Sequence, residues 1–290
     1  MLKYIFKAMR PRQWTKNAFV LAALVFDRQL FNIPSLERTL LTFVIFCLVS
    51  SSVYLLNDVM DIEADRIHPV KKNRPIASGK VPVTLAIGLS VFLILLSLVV
   101  SYFLSLGLVA IISVYFLLNL AYSKWLKHMP IIDVLVIAAC FVLRVAAGVS
   151  VIQVERFSPW LYVVTTLFAL YIGFGKRRAE LMVLVPENSQ SHRKVLSGYS
   201  IEFVDQLITV VSSTTIIAYS LYTFSAPNLP DNHAMMLTIP FVLYGIFRYL
   251  SLLQIYKMGG EPEELLLKDR PLQIAIFLWA VSIMIIFYIF

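Results

Sequence analysis

The sequence predicts an all-α, polytopic membrane protein with nine helices that cross the bilayer. The chain of 290 residues is 59% hydrophobic, only 14% of its residues are charged, and its mean hydropathy is +0.81. A soluble domain of this length is closer to roughly half apolar and a quarter charged. Nine apolar runs recur evenly along the chain, so we expect a single integral membrane domain over residues 1–290.

Each apolar run approaches the length that a hydrocarbon core of about 30 Å requires of a helix. The first and sixth runs are short or flanked by charge, so their ends are the least sharply defined. Basic residues precede the first run and no small-residue cleavage site follows it, so we expect this run to be retained in the protein. The predicted spans are 16–31, 39–56, 83–102, 106–122, 131–149, 159–175, 204–225, 234–254 and 272–290.

Lysine and arginine predict the orientation of these spans. They concentrate before the first span and after the second, fourth, sixth and eighth, and the opposite side holds few of them. Because short cytoplasmic loops carry an excess of basic residues, this alternation predicts a cytoplasmic N-terminus and an outer C-terminus in an inner or plasma membrane. Nucleic acid is not expected as a partner, since the basic residues are split among short loops without a recognisable binding module.

Three carboxylates at the end of the second span form the most informative polar pattern. Asp58, Asp61 and Asp65 follow one another at steps of three and four residues, which places them on one face of a helix. Like charges at this spacing repel one another and are costly to desolvate, and a hard divalent cation is the usual compensation. Oxygen ligands suit magnesium, so we predict that these three residues bind Mg²⁺.

The loop after these acids supplies basic side chains. Lys71 and Arg74 are placed to neutralise the part of a diphosphate that the metal does not. The combination predicts a membrane enzyme that acts on a phosphorylated substrate. Glycine motifs of the Rossmann or Walker type are absent from the sequence.

The motif Asn57-Asp58-x-x-Asp61-x-x-x-Asp65, followed by Arg74-Pro75-Ile76-Ala77-Ser78-Gly79, resembles the first aspartate-rich motif of the UbiA superfamily of intramembrane prenyltransferases. The resemblance covers the whole chain. It implies nine membrane helices around a central cavity, magnesium-diphosphate at the cytoplasmic mouth and a lipid that enters sideways from the bilayer. From its position beside the acids, we expect Asn57 to donate to a phosphate oxygen or to orient a carboxylate.

The second aspartate-rich motif of that superfamily, roughly Asp-x-x-x-Asp after the sixth span, has no counterpart here. Lys176-Arg177-Arg178-Ala179-Glu180 stands in its place. This segment resembles the polyprenyl-phosphate phosphoribosyltransferase branch, as do Arg10-Pro11-Arg12-Gln13-Trp14-Thr15-Lys16-Asn17, Tyr122–Lys127 and Phe141–Gly148. The resemblance implies that a polyprenyl phosphate attacks C1 of phosphoribosyl diphosphate (PRPP) and releases pyrophosphate. The lipid product would be a precursor for cell-wall polysaccharide such as arabinogalactan.

Because these substrates carry several phosphate groups, the many basic side chains are candidate phosphate ligands. Lys16 is assigned to the acceptor phosphate at the membrane interface. The candidates for the 5-phosphate and the lipid phosphate are Lys124, Lys127, Lys176, Arg177 and Arg178.

Arg144 and Asp133 lie in the fifth predicted span. A charge within a span costs at least ~2.5 kcal/mol on insertion scales. Arg144 therefore either faces the cavity and grips a phosphate, as a catalytic candidate beside the three aspartates, or pairs with a carboxylate of another helix. Asp133 either contacts a metal or ribose or is an acid that favours a helix start.

Two other functions stay open from the sequence. One is a conventional prenyltransferase, which moves a prenyl group from a diphosphate to an aromatic or other acceptor; the missing second acid motif argues against it. The other is a transporter whose acids bind a coupling cation, although such acids usually lie near the membrane midplane. The polyprenyl length and the oligomeric state, including a homo-oligomer, also stay open.

Overall fold

The computed structural model describes residues 1–68, 70–152, 159–183, 196, 198–226, 229–256, 265 and 268–289. Within these ranges the regular structure is helical and no β-strand occurs, which confirms the predicted all-α class. The α-helices bounded there are α1 (Leu2–Ala8), α2 (Ala22–Phe26), α3 (Ile33–Met60), α4 (Ile62–Ile67), α5 (Val83–Leu104), α6 (Leu106–Lys124), α7 (Ile132–Val151), α8 (Pro159–Val183), α9 (Ile201–Ser225), α10 (Ile239–Gln254) and α11 (Arg270–Tyr288). Short 3₁₀ helices lie at Pro11–Leu21, Lys71–Asn73, Leu126–His128 and Ala234–Thr238.

Among the described residues, seven helices are long and apolar enough to cross a membrane. They are α3, α5, α6, α7, α9, α11 and the segment Ala234–Gln254, which includes α10. The predicted count of nine is therefore not confirmed. The protein is nevertheless an integral membrane protein by the number and length of these apolar helices.

The first predicted span, 16–31, is not one continuous helix. The chain forms the 3₁₀ helix Pro11–Leu21 and then the short helix α2. Asn17 gives the physical reason, because its buried amide donates to Cys47 Sγ at 3.4 Å and Ser50 Oγ at 3.2 Å on α3. The segment is thus joined to α3 by polar contacts of Asn17, while its apolar residues Val20, Ala23 and Leu24 are also buried.

The sixth predicted span corresponds to α8, a helix of 25 residues that is not among the seven. Its last third carries Lys176, Arg177, Arg178 and Glu180, which lower its apolar character. The helix itself was predicted; its charged end explains why it falls outside the apolar set.

The chain forms two compact units, and the first comprises Met1–Lys127 and Leu143–Glu155. In this unit α3 packs against α5 through two serines. The hydroxyl of Ser52 donates to the Ser90 carbonyl oxygen, the hydroxyl of Ser90 donates to the Ser52 carbonyl oxygen, both at 2.9 Å, and the two hydroxyls lie 2.8 Å apart. Small residues let the two backbones approach closely, so α3 is held firmly before its acidic end.

Gly148 lies on α7 where this helix meets the 3₁₀ segment. We expect Gly148→Ala to destabilise the protein by about 1–3 kcal/mol or more, because an added Cβ would stand 2.0 Å from the Val20 carbonyl oxygen. Thermal melting in detergent measures the loss. The matched control is Gly88→Ala on α5, where an added Cβ meets no atom within 4 Å. This control should keep or slightly raise the melting temperature, and equal melting of both variants would contradict the close approach.

The second unit comprises His128–Val142 and Arg156–Phe290. Its buried core joins α8, α9 and α10 through residues such as Tyr171, Ile208 and Tyr249. The hydroxyl of Tyr171 donates to the Ile246 carbonyl oxygen at 2.8 Å, and its ring meets that of Tyr249 edge-on at 5.1 Å. These contacts fix the position of α8 against α10, and thereby the position of the arginines at the end of α8.

Candidate functional site

Asp58 lies on the last turns of α3 and is 1% exposed. Arg10 Nη2 donates to its Oδ1, and Arg74 Nη1 donates to the same oxygen at 3.1 Å. Arg10 comes from the junction before the 3₁₀ helix Pro11–Leu21, where its φ of 54° is left-handed, and its guanidinium also lies over the Tyr54 ring. A buried carboxylate is thus flanked by two cations from distant parts of the sequence.

Asp65 is buried on the short helix α4 and shares one of these cations. Arg74 Nη1 lies 2.6 Å from Asp65 Oδ2, so a single guanidinium nitrogen contacts both Asp58 and Asp65. These two carboxylates therefore converge on one cation position, which Arg74 occupies.

Asp61 lies at the break between α3 and α4, with a φ of −94° and a ψ of 8°. Its Oδ1 accepts a hydrogen bond of 2.6 Å from Lys127 Nζ, and Lys127 is 8% exposed. Because the helix breaks at Asp61, the three aspartates do not share one continuous helix face. Within the described ranges, no group of three or more Asp, Glu, His or Cys side chains is arranged to hold a metal ion.

The donor chemistry nevertheless fits a divalent cation. Carboxylate oxygens are the ligands that Mg²⁺ prefers, and Asp58 and Asp65 already point at one positively charged atom. The fit requires Arg10, Arg74 and Lys127 to give up at least some of their contacts with the acids.

His68 fixes the start of the basic loop. Its Nδ1 accepts hydrogen bonds from the backbone N–H groups of Val70 at 3.1 Å and Lys71 at 3.2 Å. Burial, and next the positive charge of Lys71, lower the pKa of His68 below its ordinary value. The neutral imidazole that this favours is the form whose Nδ1 can accept both bonds.

The remaining predicted ligands of the first unit are less enclosed. Lys16, Asn57 and Lys71 are partly buried, and Lys124 is exposed with its ammonium 4.6 Å from the centre of the Trp125 ring. Their assignment to phosphates stays a prediction.

Arg144 is 4% exposed on the second half of α7. Its Nε donates to Asn17 Oδ1 and its Nη2 to the Tyr115 hydroxyl, both at 2.8 Å. Because Asn17 in turn bonds to Cys47 and Ser50, this network ties the 3₁₀ segment to α3, α6 and α7. The contacts give Arg144 a structural task, and its catalytic role stays a prediction.

In the second unit, Arg177 lies in a buried ion-pair cluster. Its Nε donates to Asp133 Oδ2 at 2.6 Å, its Nη1 donates to Glu180, and Arg177 and Asp133 are 1% and 0% exposed. The Tyr199 hydroxyl donates to Asp133 Oδ1 at 2.7 Å. Burial, and next the bond to Asp133, raise the pKa of Tyr199 above its ordinary value.

Arg178 is also paired, with Asp205 Oδ1 at 2.6 Å and with the Leu253 carbonyl oxygen at 2.9 Å. Lys176 beside it is partly buried. A phosphate bound by Arg177 or Arg178 would have to compete with these internal acceptors, so their assignment as ligands also stays a prediction.

Arg10 and Tyr199 are among the residues of these clusters that were not selected from the sequence, as is Asp205, the partner of Arg178. Arg10 opens the quoted motif Arg10–Asn17, yet no role was given to it; its place directly before Pro11 was the available signal. Tyr199 carried no signal of its own, since it meets Asp133 only through the packing of the fold.

Asp58, Asp61 and Asp65 together form the acidic cluster. This cluster and the fold define an all-helical integral membrane protein whose carboxylates and arginines meet at the end of a long apolar helix. The model of the UbiA prenyltransferase family matches residues 18–281, and the chain belongs to this family.

The chain is similar over nearly its full length to proteins named decaprenyl-phosphate phosphoribosyltransferase. It is 35% identical to that of Mycolicibacterium smegmatis over 290 residues, covering 95% of this chain and 89% of the relative. It is 35% identical to that of Corynebacterium glutamicum, covering 98% and 86%, and 34% identical to that of Mycobacterium tuberculosis strain H37Rv, covering 96% and 92%. The predicted resemblance to the superfamily and to this branch is thereby confirmed.

Solved structures support the fold. A UbiA homolog from Archaeoglobus fulgidus bound to GPP and Mg²⁺ superposes with a TM-score of 0.74 at 18% identity, covering 98% of this chain and 99% of the homolog. The same homolog bound to Cd²⁺ gives a TM-score of 0.70 at 17% identity, covering 98% and 99%. That homolog therefore binds divalent metals.

Proposed function

We propose that this protein transfers the 5-phosphoribosyl group of PRPP to a polyprenyl phosphate of the decaprenyl type. Pyrophosphate leaves and polyprenyl-phosphoryl-5-phosphoribose forms, so the enzyme is a pentosyltransferase. The observation that carries this proposal is the similarity, at 34–35% identity over nearly the whole chain, to decaprenyl-phosphate phosphoribosyltransferases.

For this reaction the protein must position the two substrates and stabilise the negative charge that develops on the leaving group. An oxygen of the lipid phosphate forms a bond to C1 of the ribose as the bond from C1 to the pyrophosphate oxygen breaks. A phosphate monoester is already anionic near neutral pH, with a second pKa of about 6, and needs little help from a general base. The barrier is lowered by orienting the two reactants and by stabilising the leaving group.

Asp58, Asp61 and Asp65 would hold Mg²⁺ in this proposal. Two observations support it: Asp58 and Asp65 converge on one cation position, and a homolog of the same fold is bound to Mg²⁺. When bound, Mg²⁺ supplies positive charge to the departing diphosphate. Arg74 lies against the same carboxylates, where its guanidinium can bind diphosphate oxygens in a bidentate manner.

The other basic side chains are assigned by charge and location. Lys71 assists the diphosphate, Lys16 meets the acceptor phosphate, and Asn57 orients a carboxylate or a phosphate oxygen. The 5-phosphate and lipid phosphate are assigned to the set Lys124, Lys127, Lys176, Arg177 and Arg178. We further propose that the whole chain acts as one domain with its N-terminus and its acidic cluster on the cytoplasmic side, as the distribution of basic residues suggests.

The test is an assay on the purified protein in detergent or lipid. We expect label from radiolabelled PRPP to enter the organic phase only when polyprenyl monophosphate and Mg²⁺ are both present. Omitting the acceptor or chelating the metal is the control for nonspecific label. A parallel reaction supplies a prenyl diphosphate and an aromatic acceptor. Prenyl transfer in that reaction, with no labelled lipid from PRPP, would overturn the proposal and leave the family assignment intact.

A further inference from the structure

Each aspartate of the acidic cluster is paired with a basic side chain of its own chain. Asp58 binds Arg10 and Arg74, Asp65 binds Arg74, and Asp61 binds Lys127. The pairs at Asp58 are largely enclosed, since its side chain is 2% exposed and those of Arg10 and Arg74 are 26% and 25% exposed. The negative charge that would attract a metal is thus already compensated.

The contacts also occupy the places that a metal would need. Asp58 Oδ1 accepts from both Arg10 and Arg74, and one carboxylate oxygen offers about two lone pairs. A cation that uses this oxygen must displace one of the two guanidinium groups. Arg74 Nη1 also contacts both Asp58 and Asp65, so one guanidinium compensates both of the carboxylates that would hold a metal.

We propose that Arg10 and Arg74 are resident counter-ions of the acidic cluster, and that they compete with the divalent metal for Asp58 and Asp65. This inference rests on the proposed function in one assumption, namely that Asp58 and Asp65 are metal ligands. The protein without substrate then binds the metal weakly. If a metal bound there together with an anionic diphosphate, the guanidinium groups of Arg10 and Arg74 would be released from the carboxylates and could donate to the phosphate oxygens.

The exchange makes metal and diphosphate binding mutually dependent. Each guanidinium loses a carboxylate and gains a phosphate, which suits the planar donor geometry of arginine. A diphosphate that binds the arginines increases the affinity for the metal. By thermodynamic linkage, the metal increases the affinity for the diphosphate by the same factor. The arrangement therefore favours binding of the metal and the diphosphate together over binding of the metal alone.

The decisive measurement is Mn²⁺ affinity without either substrate, followed by electron paramagnetic resonance of the free ion. Arg10→Gln and Arg74→Gln should each bind Mn²⁺ about tenfold more tightly than the wild type, because a competitor has been removed. The matched control is Arg66→Gln, which removes a nearby positive charge that pairs with the exposed Glu63. It should leave Mn²⁺ affinity within about twofold of the wild type, because exposed charges are screened.

Two further measurements locate the effect. The double variant Asp58→Asn/Arg74→Gln should lose the tightening, since Asp58 is the shared ligand. In the wild type PRPP should strengthen Mn²⁺ binding, and in Arg74→Gln this strengthening should shrink. If a variant is unstable without metal, its melting temperature should rise more on Mn²⁺ addition than that of the wild type.

Unchanged or weaker Mn²⁺ binding in both arginine variants would overturn the inference, as would equal tightening in Arg66→Gln. The absence of Mn²⁺ binding from all variants would also overturn it. The outcome is independent of the transfer assay: competition for Mn²⁺ without phosphoribosyl transfer would reject the proposed function alone. Transfer without competition would reject only the counter-ion role of the arginines.

Discussion

Asp58→Asn is expected to lower phosphoribosyl transfer by about a hundredfold or more. The substitution keeps the size of the side chain but removes the charge that lies between Arg10 and Arg74. A neutral amide is a poor magnesium ligand. The substitution would remove the carboxylate that Arg10 and Arg74 share, while Arg74 would keep its pair with Asp65. Asp61→Asn should show a similar loss, because Asp61 is the third proposed ligand. Initial rates at several magnesium concentrations measure both effects.

Glu63→Gln is the matched control for these two variants. It removes a carboxylate from the same acidic segment, but Glu63 has an 80% exposed side chain and pairs only with the exposed Arg66 among the ion pairs of the described residues. Its transfer rate should equal that of the wild type. Full activity of Asp58→Asn and Asp61→Asn, with normal melting temperatures, would reject the assignment of the metal to these aspartates.

Arg177→Met is expected to destabilise the protein by about 3–5 kcal/mol. Asp133 is fully buried, so removal of its guanidinium partner leaves a carboxylate in the interior without compensation. Tyr199 donates to the same carboxylate and accepts from the backbone N–H of Ile131, whose φ of 68° is strained for a β-branched residue. We therefore expect the substitution also to destabilise the turn at Ile131. Thermal melting in detergent measures it.

Two comparisons show whether the effect comes from the buried pair. Arg66→Met removes an exposed partner and should change stability by at most about 1 kcal/mol. The double variant Asp133→Leu/Arg177→Met should recover much of the loss, because neither charge then stays unpaired. Normal melting of Arg177→Met would contradict the stabilising role of the buried pair, and weakened PRPP binding in the same variant would support the proposed assignment of Arg177 to a phosphate.

The sequence was sufficient for those features that depend on local composition. Long apolar runs predicted α3, α5, α6, α7, α9 and α11 because a helix that crosses hydrocarbon must be apolar along most of its length. The sequence also placed Arg74 close to the three aspartates, although it assigned Arg74 to a diphosphate and did not predict its pairs with Asp58 and Asp65.

Features that depend on distant contacts could not be predicted in this way. The contact of Arg10 with Asp58 and that of Lys127 with Asp61 join residues far apart in sequence, and only packing brings them together. The helix breaks at Asp61 without a proline or glycine there that would have predicted the break. Asn17 looked like part of an apolar span, but its bonds to α3 and Arg144 keep the segment as a 3₁₀ helix.

The reciprocal serine bonds between α3 and α5 bear on how the protein is made. Ser52 and Ser90 lie on helices that are separated only by α4 and the basic loop. Because α3 precedes α5 in the chain, we expect α3 to enter the bilayer first, with the Ser52 hydroxyl available when Ser90 arrives. The two helices can join as a hairpin before the later helices are translated, and the acidic end of α3 would be anchored while the ribosome is still at work.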